Sequence, residues 1–104
     1  MEKRSWSQGD LVIVEDEIPK GIGEVQNHDG ILARGEATGH SHRIIKGEVR
    51  FFLDGSIARA WALTDLEIGH EDHPSIRIPA DTTFRYHQER EADWFNEISR
   101  NVTD

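Results

Sequence analysis

Four of the six histidines stand in two closely spaced pairs, and these pairs are the residues whose types and spacing suggest chemistry. An H-x-H motif is formed by His40 and His42, and an H-x-x-H motif is formed by His70 and His73. Residues two apart on a β-strand point to one face, so the first pair can reach a single ion. Imidazole suits zinc, iron, manganese or nickel. We therefore predict a divalent transition-metal cofactor whose ligands are His40, His42, His70 and His73.

Carboxylates accompany both pairs. Glu71 and Asp72 lie inside the H-x-x-H motif, and Glu48 follows the H-x-H motif after five residues. A metal ion can polarise a carbonyl or activate a water. Because such chemistry needs a proton acceptor, Glu48, Glu71 and Asp72 are the catalytic candidates. The sequence leaves open whether the protein is an enzyme, since histidines in acidic loops also form ordinary hydrogen bonds to carboxylates.

The elements that would position these residues are mostly short strands. Runs of apolar and β-branched residues separated by glycine predict strands rather than long helices. Near the C-terminus, Trp94, Ile98 and Val102 recur at a spacing of four, which predicts an amphipathic helix over 89–100. The predicted strands cover 11–14, 31–34, 40–45, 75–78 and 82–87.

A β-hairpin is predicted within residues 47–64. Apolar residues alternate with polar ones on both sides of Asp54-Gly55, a dipeptide typical of the two-residue type I′ turn. With these two residues at the centre of the turn, Phe52 opposes Ile57 and Glu48 opposes Trp61.

Many short strands with little helix predict a mainly β fold. We expect one domain over residues 1–104, built as a small β-barrel with a short C-terminal helix. A barrel is the first choice because closure removes exposed strand edges.

Composition excludes several functions. The 104 residues include no cysteine, so disulfides, thiolate metal sites and cysteine nucleophiles are absent. The formal charge of −8, with no cluster of Lys and Arg, disfavours nucleic-acid binding. No stretch of sequence is apolar enough to cross a membrane, and the N-terminus does not read as a signal peptide, so we expect a cytoplasmic protein.

Part of the H-x-H region resembles the first motif of the cupins, in which H-x-H, a glutamate and a glycine follow on adjacent strands. Here the series is His40, His42, Glu48 and Gly55, with five residues between the second histidine and the glutamate. The second cupin motif, P-x-G-x-x-H, is matched only in part, because Asp81 stands where the glycine belongs. The resemblance implies a cupin-like barrel with a metal site that includes Glu48.

A second resemblance covers more of the chain. The segments GEATGHSH from Gly35 and HEDHP from His70, with Gln88-Glu89-Arg90-Glu91, are similar to a family of small bacterial proteins, some carried on phages or plasmids. The resemblance implies that the chain is one unit. It implies no activity, because none is established for that family.

Three hypotheses follow. The first is a small β domain with a histidine-based metal site, which would also serve a metal-dependent enzyme. The second is a non-catalytic interaction or accessory protein of a mobile element, with structural histidines and an acidic surface that meets a protein partner. The third is a metal-free barrel that binds a small molecule. Assembly with a second copy of the chain stays open in all three.

Overall fold

Nine β-strands form the regular structure in a computed structural model of the protein, which describes residues 3–35 and 39–89. Within these ranges there is no helix long and apolar enough to cross a membrane. The strands are β1 (Ser5–Gln8), β2 (Leu11–Glu15), β3 (Ile31–Arg34), β4 (Ser41–Lys46), β5 (Val49–Asp54), β6 (Ile57–Ala62), β7 (Leu66–His70), β8 (His73–Ile78) and β9 (Thr82–Gln88).

The strands form two antiparallel sheets rather than the closed barrel that we predicted. The order is β1-β2-β9-β6-β5 in the first sheet and β3-β4-β7-β8 in the second. Among the described residues no strand pairing joins the sheets, although the chain passes from one sheet to the other four times, one of them between β4 and β5. Gly47 makes this change at a φ of +102°, where an added Cβ would lie 2.3 Å from the Asp65 carbonyl oxygen. A residue with a side chain does not fit there.

The hydrophobic core draws on both sheets. In β9 the buried Phe84 and Tyr86 alternate with the more exposed Arg85 and His87, the period-two pattern expected of a strand with one face inside. Burial of a side chain such as Phe84 contributes roughly 1.5–3 kcal/mol. The buried apolar residues are Leu11, Ile13, Ala33, Phe51, Ala60, Ala62, Leu66, Ile68, Ile78, Phe84 and Tyr86.

The hairpin of β5 and β6 forms, but its predicted register is wrong. Asp54 pairs with Ile57, so Gly55 and Ser56 are the central residues of the turn. Gly55 has a φ of +61°, and Ser56 does not have a positive φ, which matches a type II′ turn with glycine first. Arg50 therefore takes the place opposite Trp61 that we had predicted for Glu48.

The other predicted elements have mixed outcomes. The five strands predicted outside the hairpin are all present, with bounds that differ by no more than two residues, whereas β1 and β7 were not predicted. Apart from Glu89, the predicted helix over 89–100 lies outside the described residues. The Glu89 amide donates a hydrogen bond to the Asp10 carbonyl at 2.8 Å.

On the outer face of the first sheet, one carboxylate binds three cationic side chains. Asp16 accepts hydrogen bonds from Lys3 at 2.7 Å and from Arg59 and Arg85 at 2.9 Å each. The Lys3 ammonium, followed by the Arg59 guanidinium, holds the pKa of Asp16 well below its ordinary value. Arg59 also donates to the Glu17 carbonyl at 3.0 Å, which fastens the segment after β2 onto the sheet.

We predict that Asp16→Asn lowers the free energy of unfolding by about 1–3 kcal/mol at neutral pH, because Arg59, whose side chain is 9% exposed, loses the nearer of its two carboxylate partners and keeps Asp54 at 3.3 Å. A carboxyl group with a depressed pKa stabilises the fold above its unfolded pKa of about 4 and loses that contribution as the pH falls. The difference between the two proteins should therefore shrink below pH ~4.

Urea denaturation at several pH values measures this effect. Glu17→Gln, which changes the charge equally at an exposed neighbour, should have little effect. Equal losses for both variants would show that Asp16 acts only through net charge.

Candidate functional site

The structure brings His40, His42, His70 and His73 together, and we call these four residues the histidine cluster. His70 is central: its ring centroid lies 5.9 Å from that of His40, 4.3 Å from that of His42 and 4.7 Å from that of His73. The rings of His42 and His73 are nearly parallel, with centroids 6.1 Å apart. Residues more than 25 positions apart in the sequence thus share one small volume.

Strand pairing explains this convergence. β4 runs beside β7, with Arg43 opposite Gly69, so the H-x-H pair lies next to the end of β7. His70 ends β7 and pairs with His73 at the start of β8. The H-x-x-H motif is therefore a hairpin with Glu71 and Asp72 in its turn and Pro74 directly after it. Proline is tolerated here because β8 is an edge strand.

His42 is the most buried member of the cluster, with 1% of its surface exposed. Its Nδ1 lies 2.8 Å from Gln8 Oε1, and its Nε2 lies 2.6 Å from Asp10 Oδ1. Gln8 must present its oxygen to the ring, because its amide nitrogen donates to the carbonyls of Ile68 and Pro74. Both ring nitrogens of His42 therefore face acceptors, and the ring satisfies both as an imidazolium with two N–H donors.

Asp10 supplies the opposing negative charge. Its Oδ2 accepts a hydrogen bond of 2.6 Å from Gln88, whose amide nitrogen also donates to the Arg34 carbonyl at 3.1 Å. Burial opposes ionisation of Asp10, but the hydrogen bonds from Gln88 and His42 outweigh it and hold the pKa of Asp10 below its ordinary value. Asp10 is therefore ionised at neutral pH and compensates the charge on His42.

His70 is held in the opposite protonation state. Its Nδ1 accepts the backbone N–H of Asp72 at 3.0 Å, so the proton of the neutral ring resides on Nε2. Burial, followed by the neighbouring His42 and His73, lowers the pKa of His70. The cluster thus places His42, whose two ring nitrogens face acceptors, beside His70, whose Nδ1 accepts a hydrogen bond, with 4.3 Å between the ring centroids.

The two carboxylates of the H-x-x-H motif have different partners. Asp72 Oδ2 lies 2.6 Å from Nδ1 of His40, whose side chain is 35% exposed. Glu71 instead accepts the Ser41 backbone N–H at 3.1 Å and the Arg43 guanidinium at 2.8 Å. Backbone N–H groups, first its own and then that of Ser41, lower the pKa of Glu71. Asp72 is therefore the catalytic candidate hydrogen-bonded to a cluster ring, whereas Glu71, whose Oε2 lies 4.0 Å from Nδ1 of His70, fastens the turn to β4.

Glu48, the third catalytic candidate, lies elsewhere. It lines a cavity whose lining includes none of the cluster histidines, and among the described residues no hydrogen bond or ion pair joins it to them. The cupin resemblance implied that Glu48 shares an ion with His40 and His42, and the structure does not bring the three together.

No three His, Asp or Glu side chains within residues 3–35 and 39–89 are arranged around a common position that would hold a metal ion. The cluster described here is a hydrogen-bonded network instead. Sequence reasoning missed its partners Gln8, Asp10 and Gln88, because single glutamine and aspartate residues carry no spacing signal. The turn motif Gly9-Asp10 was the available clue.

Gly9 lies at the edge of the histidine cluster, against the ring of His73. Its φ is +56°, and an added Cβ would lie 2.3 Å from Nε2 of His73. The His73 ring therefore packs against the backbone of the β1–β2 turn. This contact explains why a glycine is needed between Gln8 and Asp10.

We predict that Gly9→Ala destabilises the protein by about 1–3 kcal/mol more than Gly55→Ala, because only the first adds a clash to the cost of the left-handed conformation. Gly55 is a matched control, since its φ is +61° and an added Cβ meets nothing within 4 Å. Thermal denaturation compares the two variants. If His73 is the cause, adding His73→Ala to Gly9→Ala should recover the extra loss.

We also predict that Gln8→Met costs about 2–4 kcal/mol of stability, because it leaves His42 and two backbone carbonyls without partners while keeping a similar shape. Gln26→Met, at an exposed glutamine, is the control. Chemical denaturation of both variants provides the measurement. Equal stabilities would contradict the central place of Gln8 in the network.

Comparison with known proteins assigns the chain to a family but gives no activity for it. No curated protein and no solved structure shows significant similarity to the chain. One family model, described as a domain of unknown function (DUF8820), matches residues 7–86, a range that includes the whole histidine cluster with Gln8 and Asp10. The chain therefore belongs to the DUF8820 family.

Proposed function

We propose that the protein binds a divalent transition-metal ion at the histidine cluster. The observation that carries the proposal is the convergence of four imidazoles, drawn from β4, β7, β8 and the residue before β4, in a chain with only six histidines. Imidazole is a ligand for zinc, iron, nickel and manganese, and Asp10 and Asp72 add carboxylates beside the rings. The donor set therefore fits such an ion chemically.

Ring spacing supports the proposal. A metal–nitrogen bond of about 2.0–2.1 Å places the centroid of a bound imidazole about 3.2 Å from the ion, so two rings on one tetrahedral ion lie about 5 Å apart. The four centroid separations in the cluster run from 4.3 to 6.1 Å and bracket this value. The side chains would have to reorient to direct their nitrogens to one point, because no three described His, Asp or Glu side chains surround a common position as they lie here.

The two central histidines differ in how readily they could take up a metal ion. Nδ1 of His70 accepts a backbone N–H, and burial, followed by His42 and His73, lowers the pKa of His70, which favours the neutral imidazole that binds metals. At His42, Nε2 is joined to the Asp10 carboxylate by a hydrogen bond whose proton lies between them. Metal binding at His42 would displace that proton, and binding at His70 would break the contact of Nδ1 with the Asp72 amide. We therefore expect the hydrogen-bonded cluster to be the proton-loaded, metal-free state.

Asp72 is the residue that would support chemistry at this site. A bound ion with an open position would polarise a carbonyl or activate a water. Asp72 holds the His40 ring at 2.6 Å, orienting it as a carboxylate orients a metal-bound histidine. Glu71 is occupied by Ser41 and Arg43, so it would keep the turn in place.

The test is metal binding by protein purified without added metal and by chelator-treated protein. We predict one ion per chain, lost in His70→Ala, and an affinity reduced about 10- to 100-fold in Asp72→Asn. His87→Ala, at an exposed histidine outside the cluster, is the matched control and should bind normally. Metal content by mass spectrometry and calorimetric titration with zinc, nickel, manganese and ferrous iron give the readout.

The proposal fails if none of these ions binds the folded wild-type protein. Binding that survives in His70→Ala but not in His87→Ala would also contradict it, because the ion would then sit outside the cluster. Circular dichroism of each variant separates loss of the site from loss of the fold.

A metal-free structural role is the second candidate, and the two occupied nitrogens of His42 favour it. In this role the histidines fasten the sheets together and the function resides in contacts with a protein partner, as in an accessory protein of a mobile element. This candidate predicts that His42→Ala lowers stability whether or not metal is present. It also predicts that added metal leaves the thermal denaturation temperature of the wild-type protein unchanged.

A further inference from the structure

A second site of interest is the cavity that holds Glu48. Its volume is about 630 Å³, and it opens between the segment before β3 and the start of β5. We call it the acidic groove and define it by Glu24, Asp29, Glu48, Val49, Phe51 and Leu63. The volume lies within the range of about 300–1,000 Å³ that is typical of ligand sites.

The acidic groove combines an apolar floor with a negative rim. Val49 of β5, Leu63 after β6 and Ile44 of β4 are partly exposed and form the floor, whereas Phe51 lies under the His28 ring and is 5% exposed. The rim residues Glu24, Asp29 and Glu48 are exposed. Arg50 is the one Lys or Arg among the residues that line the cavity, so the lining carries a net charge of −2.

The rim carboxylates differ in how far they are already neutralised. Asp29 forms an ion pair with Arg34, and Glu24 lies 3.6 Å from Arg50. For Glu48, the part of the chain that the structure describes offers its carboxylate no hydrogen bond or ion pair, while its backbone is fixed by Thr64. Glu48 is thus a fixed negative charge at the edge of an apolar surface.

The wall of the acidic groove is held in place by aromatic stacking. The His28 ring stacks on Phe51 with centroids 3.5 Å apart and an angle of 10° between the planes. His28 Nδ1 accepts the Gly30 N–H at 2.9 Å, and the Val25 N–H donates to the Phe51 carbonyl at 2.7 Å. These contacts fix the segment before β3 against β5, so the groove is formed before any ligand arrives.

We infer that the acidic groove docks a basic segment of a protein partner, with a lysine or arginine side chain lying along it. Such side chains have an apolar stem and a cationic head, which match the apolar floor and the acidic rim respectively. The cavity is larger than one side chain and open to solvent, which suits a peptide segment better than a small free amine. Charge complementarity selects a basic partner, because an acidic one would meet the −2 lining and the −8 chain.

Titration of ¹⁵N-labelled protein, followed by two-dimensional NMR, tests this inference with three probes. The probes are a capped peptide of alternating lysine and leucine, its twin with glutamate in place of lysine, and lysine amide. We expect the lysine peptide to shift the amide signals of Glu48, Phe51 and His28 while those of the histidine cluster stay in place. The glutamate peptide should have no effect, and lysine amide should bind at least about tenfold more weakly.

Two double variants test whether the carboxylates of the acidic groove bind the lysine peptide. Glu24→Gln/Glu48→Gln should weaken binding of the lysine peptide about 2- to 20-fold, the effect of removing two exposed ion pairs. Glu17→Gln/Glu89→Gln changes the net charge equally at exposed residues outside the groove and should leave the affinity within about twofold. The inference is overturned if the lysine peptide shifts no groove signals, if the two double variants weaken binding equally, or if lysine amide binds as well as the peptide.

Discussion

The buried ring of His42 is the contact on which the two sheets depend. It lies on β4 of the second sheet, and both its nitrogens bind residues of the β1–β2 hairpin in the first. Since no strand pairing joins the sheets within the described residues, side chains must make this connection. Gln8 extends it to the backbone of β7 and β8, and Gln88 extends the Asp10 end to β3. Every polar atom in this chain of contacts has a partner, which is the condition for burying it without a large penalty.

The histidine cluster therefore combines features of a structural site with features of a metal-binding site. The carboxylate of Asp10 and the amide of Gln8 satisfy His42 completely, yet oriented carboxylate–imidazole pairs are also the usual surroundings of metal-bound histidine. Protons and metal ions compete for the same nitrogens. A network that binds protons can therefore bind a metal ion instead when the free energy of metal binding exceeds the free energy of the hydrogen bonds that are lost.

Local signals in the sequence were enough to predict part of the structure. Apolar alternation predicted the β content and seven of the nine described strands, and close spacing predicted the two histidine pairs. It could not predict that the sheets stay open, because pairing between segments distant in the sequence decides which strands share a sheet. The hairpin register was missed because Gly55 begins the turn instead of ending it. Among the site residues, each histidine pair follows from a local motif, whereas the meeting of the two pairs, and of Gln8 and Asp10 with them, depends on long-range strand pairing and packing.

The outer face of the first sheet has an evolutionary consequence. Arg59 and Arg85 stand directly opposite each other on neighbouring strands, an arrangement of like charges that is unfavourable on its own. Asp16 Oδ2 binds both and offsets the repulsion between them, and Asp54 adds a second carboxylate beside Arg59 at 3.3 Å. The three positions therefore depend on one another in evolution. Where the aspartate is lost, a neutral residue at 59 or 85 is favoured. Where it is present, arginine at both positions is favoured. Among homologues we expect these positions to covary, although they are separated by up to 69 residues.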